Sequence, residues 1–154
     1  MDIEIIQLSS KDFGYFTELI SIFERVFEWE DFSFPEPSHL QKILNKPSFL
    51  VFVAISNQKV VGGLTAYVLD RYDSPKPSAY IYDLAVSSDL QRRGIGKKLI
   101  SSLNAYGRAN GFNEVFVQAE TDDLQAINFY RTTPVNIEMQ AIHFTYSFEE
   151  GAEG

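Results

Sequence analysis

The feature that most constrains this chain is a short apolar strand that runs through a glycine-punctuated loop straight into a helix. Tyr82-Asp83-Leu84-Ala85-Val86 is the strand, and Gln91-Arg92-Arg93-Gly94-Ile95-Gly96-Lys97-Lys98-Leu99 is the loop and the first helical turn. Glycine lets the backbone approach a ligand closely and turn left-handed without a Cβ penalty. The first N–H groups of a helix have no intrahelical acceptor, and the macrodipole adds positive potential there. A strand, loop and helix joined in this way form an anion cradle. Four basic residues, Arg92, Arg93, Lys97 and Lys98, crowd the same place. Basic side chains at a helix N-terminus oppose the dipole, and a bound polyphosphate removes that penalty. The plainer alternative is a tight turn with a solvated basic rim. No G-x-x-x-x-G-K-[ST] occurs, and the G-x-G lacks the third glycine of a dinucleotide fingerprint.

The 154 residues carry a formal net charge of −8, against the basic surface that nucleic acid requires and suited to a cationic partner. Hydrophobic residues make up 45% of the chain and neither repeats nor linkers interrupt it, so one domain over residues 1–154 is expected. The absence of cysteine excludes disulfides, thiolate catalysis and cysteine-bound zinc. His39 and His143 with the scattered acids show no metal-ligand spacing, so no metal is expected. No G-x-S-x-G elbow is present for a serine nucleophile. The N-terminus has no basic n-region and no apolar run reaches about 18 residues, which predicts neither signal peptide nor membrane span and hence a cytoplasmic location.

Periodicity orders the elements. Residues 3–8 read as a strand, and Ser9-Ser10 offers an N-cap to a helix through Phe13, Phe16, Leu19, Ile20, Phe23 and Val26. Phe27 to Pro37 reads as a loop and His39 to Asn45 as a short helix. Phe49–Ile55 and Val60–Leu69 flank a turn and predict a hairpin, with Gly62-Gly63 marking a bulge or a close backbone approach. A strand at Tyr80–Val86 precedes a helix at Ile95–Ala109, which Asn110-Gly111 ends in a left-handed cap. Val115–Val117 is a short strand, Leu124–Tyr130 a helix, Ile137–Phe148 one or two final strands, and Glu149–Gly154 a frayed tail. This alternation predicts an α/β fold, a mixed sheet with helices on both faces.

Gln91, Gly94 and Gly96 resemble the Q/R-x-x-G-x-G/A motif of the GNAT family of N-acetyltransferases. The resemblance covers residues 3–148 in element order and implies acetyl-CoA as cosubstrate. It implies a mostly antiparallel mixed sheet whose two central strands splay apart, with the pantetheine arm in the gap along Leu84, Ala85 and Val86. The main chain of Arg92, Arg93, Gly94, Ile95, Gly96 and Lys97 is then implied to hold the pyrophosphate. Asp123-x-x-Ala126-x-x-Phe129-Tyr130 is similar to a second family motif, with Asp where Asn is usual, and implies that Tyr130 lies near the thioester sulfur as an acid. The loop Arg131–Val135 departs from the Gly-Phe that usually follows. Further matches at Ala66–Leu69, Tyr80–Val86, Val117–Ala119 and His143-Phe144 resemble type I aminoglycoside 3-N-acetyltransferases and imply a polycationic acceptor. The resemblance also admits pairing of the C-terminal strands across a homodimer.

Transfer to an amine needs a base, since only the neutral amine attacks. Asp83 interrupts an apolar strand beside the cofactor segment, so it is the first candidate for base or ammonium anchor, with a structural partner role as its alternative. Glu120 is the second candidate, and Asp122 shares its neighbourhood. Tyr82, Glu30, Asp31 and His143 complete the candidate acceptor-binding set, the two acids because the loop after the first helix borders the acceptor cleft in this fold. Two other readings stay open: an acetyltransferase for a polyamine, small amine or peptide N-terminus, and a non-catalytic acetyl-CoA-binding module.

Overall fold

The structure is a computed structural model and describes residues 2–148. The tail from Glu149 lies outside the described residues. Two compact units are present, one up to Gln118 and one from Ala119 onward.

The first unit is a five-stranded sheet in sequence order: β1 (Glu4–Gln7), β2 (Phe49–Ser56), β3 (Lys59–Leu69), β4 (Ser78–Val86) and β5 (Glu114–Val117). β1 to β4 pair antiparallel, and β4 pairs with β5 in parallel. Its helices are α1 (Phe13–Val26), α2 (Pro37–Leu44) and α3 (Ile95–Ala109). The second unit contains α4 (Leu124–Arg131).

The two helix layers follow from strand alternation. Phe49, Val51 and Val53 of β2 join Phe16, Leu19, Ile22 and Phe23 of α1 and Leu40 and Leu44 of α2 in one buried cluster. Leu50, Phe52 and Ala54 are buried on the opposite face, where Phe52 meets Tyr106 of α3 with ring centroids 6.0 Å apart. β2 is thus covered on both sides, which is why it reads as an unbroken apolar run.

The glycine pair in β3 performs both of its expected roles. Ile55 pairs with Val60 and Ala54 with Gly62, so Val61 is the extra residue of a bulge. A Cβ on Gly63 would lie 2.6 Å from Leu19 Cδ1 and 2.8 Å from the Phe52 carbonyl oxygen, so α1 rests on the sheet through this point. The preceding hairpin turns at Asn57 and Gln58, with φ of 51° and 64°. Those left-handed values match the twist of the flanking strands.

Several boundaries differ from expectation. α2 starts at Pro37 rather than His39, because a proline at the first helical position has no N–H to leave unpaired. Asp12 rather than Ser9 or Ser10 takes the N-cap position of α1, while Ser9 N–H donates to the Asp12 carboxylate at 2.7 Å. Gly111, with φ of 73°, ends α3 as expected.

The larger correction concerns the C-terminus. No strand is formed over residues 137–148, so β5 is the last strand of the sheet rather than a central one. Ile137, Met139, Ile142, Phe144, Tyr146 and Phe148 are each 77% to 94% exposed. Alternating apolar residues supply a face, but a strand also requires a neighbour for its N–H and C=O groups.

Candidate active site

The site is built where β4 loses a neighbour. The parallel ladder runs from Ser78 opposite Glu114 to Ile81 opposite Val117 and stops there. From Tyr82 to Val86, β4 pairs only with β3. Main-chain groups on its other side are then open to an amide-bearing ligand, the splay expected of the sheet. β4 also carries a bulge: Ala66 pairs with Ile81 and Thr65 with Asp83, leaving Tyr82 as the extra residue. Such a bulge aims two successive side chains to the same side and bends the strand. Tyr82 is 60% exposed there, and Asp83 is half-buried.

Burial pushes the Asp83 carboxyl above the ordinary aspartate value, because the charged form loses hydration. Among the described residues the ion pairs are Arg71–Asp73 and Arg131–Glu138, and Asp83 takes part in neither. The Tyr67 hydroxyl is also raised, first by burial and then by the neighbouring Tyr82 and Asp83. Tyr67 stands opposite Tyr80 in the ladder and meets Tyr82 edge to face, with centroids 5.5 Å apart. Sequence reading missed Tyr67 and Tyr80 as site residues. The hairpin register was the signal that pairs them, since it depends on bulges that alternation alone does not reveal.

The glycine loop leaves β4 through a single 3-10 turn at Ser88–Leu90. Gln91 Nε2 donates to the Val86 carbonyl at 3.0 Å, so this side chain closes the loop onto the strand end. Arg92 has φ of 65° and Gly94 φ of 81°, while Arg93 between them is not left-handed. That alternation turns successive N–H groups toward one side, the geometry of an anion nest. Gly94 is the N-cap of α3, and a Cβ there would meet nothing within 4 Å. Arg92, Arg93, Lys97 and Lys98 are exposed, whereas Ile95 and Gly96 are buried with Leu99 and Leu103, which anchor α3. Ile95 and Gly96 can therefore offer a ligand only main-chain atoms. Open space at Gly94, free first-turn amides and a cationic rim fit a diphosphate.

Leu84 is half-buried, and Ala85 and Val86 are buried, so these residues too present backbone rather than side chain. Tyr82, Asp83, Leu84–Val86 and Gln91–Lys97 thus lie together on consecutive segments of the first unit. Glu30 and Asp31 belong to the exposed loop after α1, with Asp31 left-handed at φ of 54°. Trp29, Phe32 and Phe34 pack ring to ring through that loop, at 5.2 and 5.1 Å.

The remaining candidates lie in the second unit. Asp123 caps α4, its carboxylate accepting the Ala126 N–H at 3.1 Å, which gives these two motif positions a structural role. Phe129 and Tyr130 are half-buried and meet edge to face at 5.0 Å. Glu120 and Asp122 are exposed, and the Glu120 carbonyl accepts the Asp123 N–H at 3.0 Å. His143 is exposed in the stretch that forms no strand, contrary to its expected place on one. Among the described residues no group of three or more His, Asp or Glu is placed to hold a metal ion.

Comparison with known proteins agrees with this geometry. Residues 15–133 match the model of the Acetyltransferase (GNAT) family. An aminoglycoside acetyltransferase from an uncultured soil metagenomic sample, solved in complex with sisomicin, is 50% identical over 96% of this chain and 97% of that one, with a TM-score of 0.94. A second soil metagenomic aminoglycoside acetyltransferase is 30% identical over 96% of this chain and 100% of its own, with a TM-score of 0.85. Among curated proteins, N-acetyltransferase 8 of Homo sapiens is 31% identical over 81 residues. That match spans 53% of this chain and only 36% of the human protein's length. With its glycine loop, split sheet edge and these relatives, the chain belongs to the GNAT family of acetyltransferases.

Proposed function

We propose that this protein moves an acetyl group from acetyl-CoA to a primary amine of an aminoglycoside, the 3-amino group in particular. The observation that carries the reading is the nest of main-chain nitrogens between Arg92 and Lys97 at the end of an unpaired strand edge. The first turn of α3, with Arg92, Arg93 and Lys97 around it, would hold the diphosphate, and the open edge of Leu84–Val86 would pair with the pantetheine amides. The thioester supplies the acetyl group. Asp83 receives the proton of the incoming ammonium, the freed nitrogen bonds the carbonyl carbon, and the carbon–sulfur bond breaks to leave a thiolate. In this reading the Leu84 N–H is the candidate donor that stabilises the developing oxyanion. As the bond breaks, Tyr130 gives its proton to the departing thiolate and regains one from the attacking nitrogen, which thereby loses its second proton and becomes the amide; Glu120 is the second candidate base. Holding both reactants in line contributes several kcal/mol more.

The aminoglycoside relatives support the acceptor, as does the charge of −8 with exposed acids at Glu30 and Asp31. Glu120, Asp122 and His143 complete the acceptor set in this reading. The same proposal takes the whole chain as one functional domain, acting as a homodimer in the cytoplasm where acetyl-CoA is drawn upon.

Calorimetry with coenzyme A, parent against Gly94→Glu, tests the cradle. The parent should bind, and the variant, which adds a carboxylate to the nest, should bind at least tenfold more weakly. No heat with the parent, or equal binding by both, would overturn the reading. A panel of gentamicin, kanamycin and spermidine with thiol release as readout tests the acceptor. Turnover on spermidine alone moves the chain to polyamines, and binding of acetyl-CoA with no turnover on any amine makes it a binding module.

A further inference from the structure

Asp83 is a half-buried carboxylate that joins neither ion pair of the described residues; it follows Tyr82 in the strand, and its charge is felt at the Tyr67 hydroxyl. The Tyr67 and Tyr82 rings meet at 86° with centroids 5.5 Å apart, and Tyr80 and Tyr82 meet at 83° and 6.3 Å. Two walls therefore stand perpendicular to the Tyr82 ring. Both are braced from behind. Tyr80 stacks on Phe116 at 4.9 Å and 11°, and Tyr67 packs on Phe49 at 5.1 Å. The Tyr80 hydroxyl is turned to Gln118 Oε1, 3.5 Å away. Tyr82, placed by the bulge, is the wall that faces solvent at 60% exposure.

An unalkylated ammonium in such a corner has three N–H donors and one carboxylate to receive them. A methylated ammonium replaces donors with methyl groups that lie against ring faces, and the faces attract its charge through their quadrupoles. We propose that Tyr67, Tyr80 and Tyr82 form an aromatic corner around the Asp83 carboxyl that holds alkylated ammonium groups as well as primary ones. This rests on the amine-acceptor reading above and deepens it. The acceptor site tolerates N-methylated amines beside the reacting nitrogen, and a tetraalkylammonium ion blocks it.

Tetramethylammonium chloride is the probe, since it has no transferable N–H and its binding is read without turnover. Binding to the full chain is followed by calorimetry and by inhibition of acetyl transfer, with sodium chloride at equal ionic strength as control. The expected result is inhibition competitive with the amine and not with acetyl-CoA. Tyr82→Leu should weaken tetramethylammonium binding about tenfold while keeping the parental melting curve, because this ring is mostly exposed. Tyr82→Phe, which keeps the ring and loses only the hydroxyl, should restore it to within a few fold. Tetramethylammonium that binds no better than sodium, or a leucine variant indistinguishable from the parent, would sink the aromatic corner. A protein that acetylates amines yet ignores tetramethylammonium refutes the corner alone. One that binds the ion but acetylates no amine refutes the transferase reading alone.

Discussion

At the scale of single residues, Asp83 carries the most consequence. Its carboxyl is raised by burial, so the folded chain binds that proton more tightly than the unfolded chain does. The stabilisation from this protonation is complete below the ordinary aspartate pKa of about 3.9 and is lost as pH rises through the folded value. At neutral pH the ionised group therefore costs stability. Asp83→Asn should melt no lower than the parent near pH 7, yet turnover should fall by about 10²–10⁴-fold through loss of the base. The acidic limb of the parental kcat/KM profile should sit above the usual aspartate range and should vanish in the variant. A variant with parental turnover would remove Asp83 from catalysis. The interruption of an apolar strand made this residue visible in the sequence. Tyr67 stayed hidden because its partners Tyr80 and Tyr82 lie across a bulged ladder, and no local pattern announces a bulge at Tyr82.

At the scale of elements, periodicity placed every helix and five of the strands, because their apolar spacing is strong enough to state a face. Gly62-Gly63 shows how far such reading reaches. The glycines announced a constraint, and the contact with Leu19 and the Phe52 carbonyl supplies its cause. Gly63→Ala should destabilise the fold by about 1–3 kcal/mol through overpacking between α1 and β3. The midpoint of urea unfolding reads this directly, and an unchanged midpoint would mean that the helix can move away from the sheet. The glycine loop was legible for a related reason. A glycine at a helix start, preceded by two arginines, encodes its backbone geometry in the residue type itself, and Gly94 has φ of 81°. The left-handed Arg92 was not legible, since arginine has no preference for that conformation.

At the scale of the whole molecule, the apolar stretch from Ile137 to Phe148 is the segment most in need of a partner. Six large hydrophobic side chains within twelve residues are each exposed by 77% or more, and exposed apolar residues in such number suit a partner surface. In the homodimer proposed above, a second copy covers them. Light scattering after gel filtration should give a dimer for the parent, and Phe144→Asp with Tyr146→Asp should give a monomer. A monomeric parent at tens of micromolar would overturn that assembly. The comparison of chain and fold divides along one physical line. Local chemistry was written in the sequence: the loop that turns left-handed at glycine, the helix that begins there, the apolar faces, and the lone acid in β4 all depend on residues close together in the chain. What depends on neighbours distant in sequence was decided only by tertiary structure. The end of the β4–β5 ladder at Ile81, the bulge that aims Tyr82 beside Asp83, and the failure of residues 137–148 to become a strand are all outcomes of pairing. A strand is made by its neighbour, and alternation in a single sequence does not say which neighbour is there.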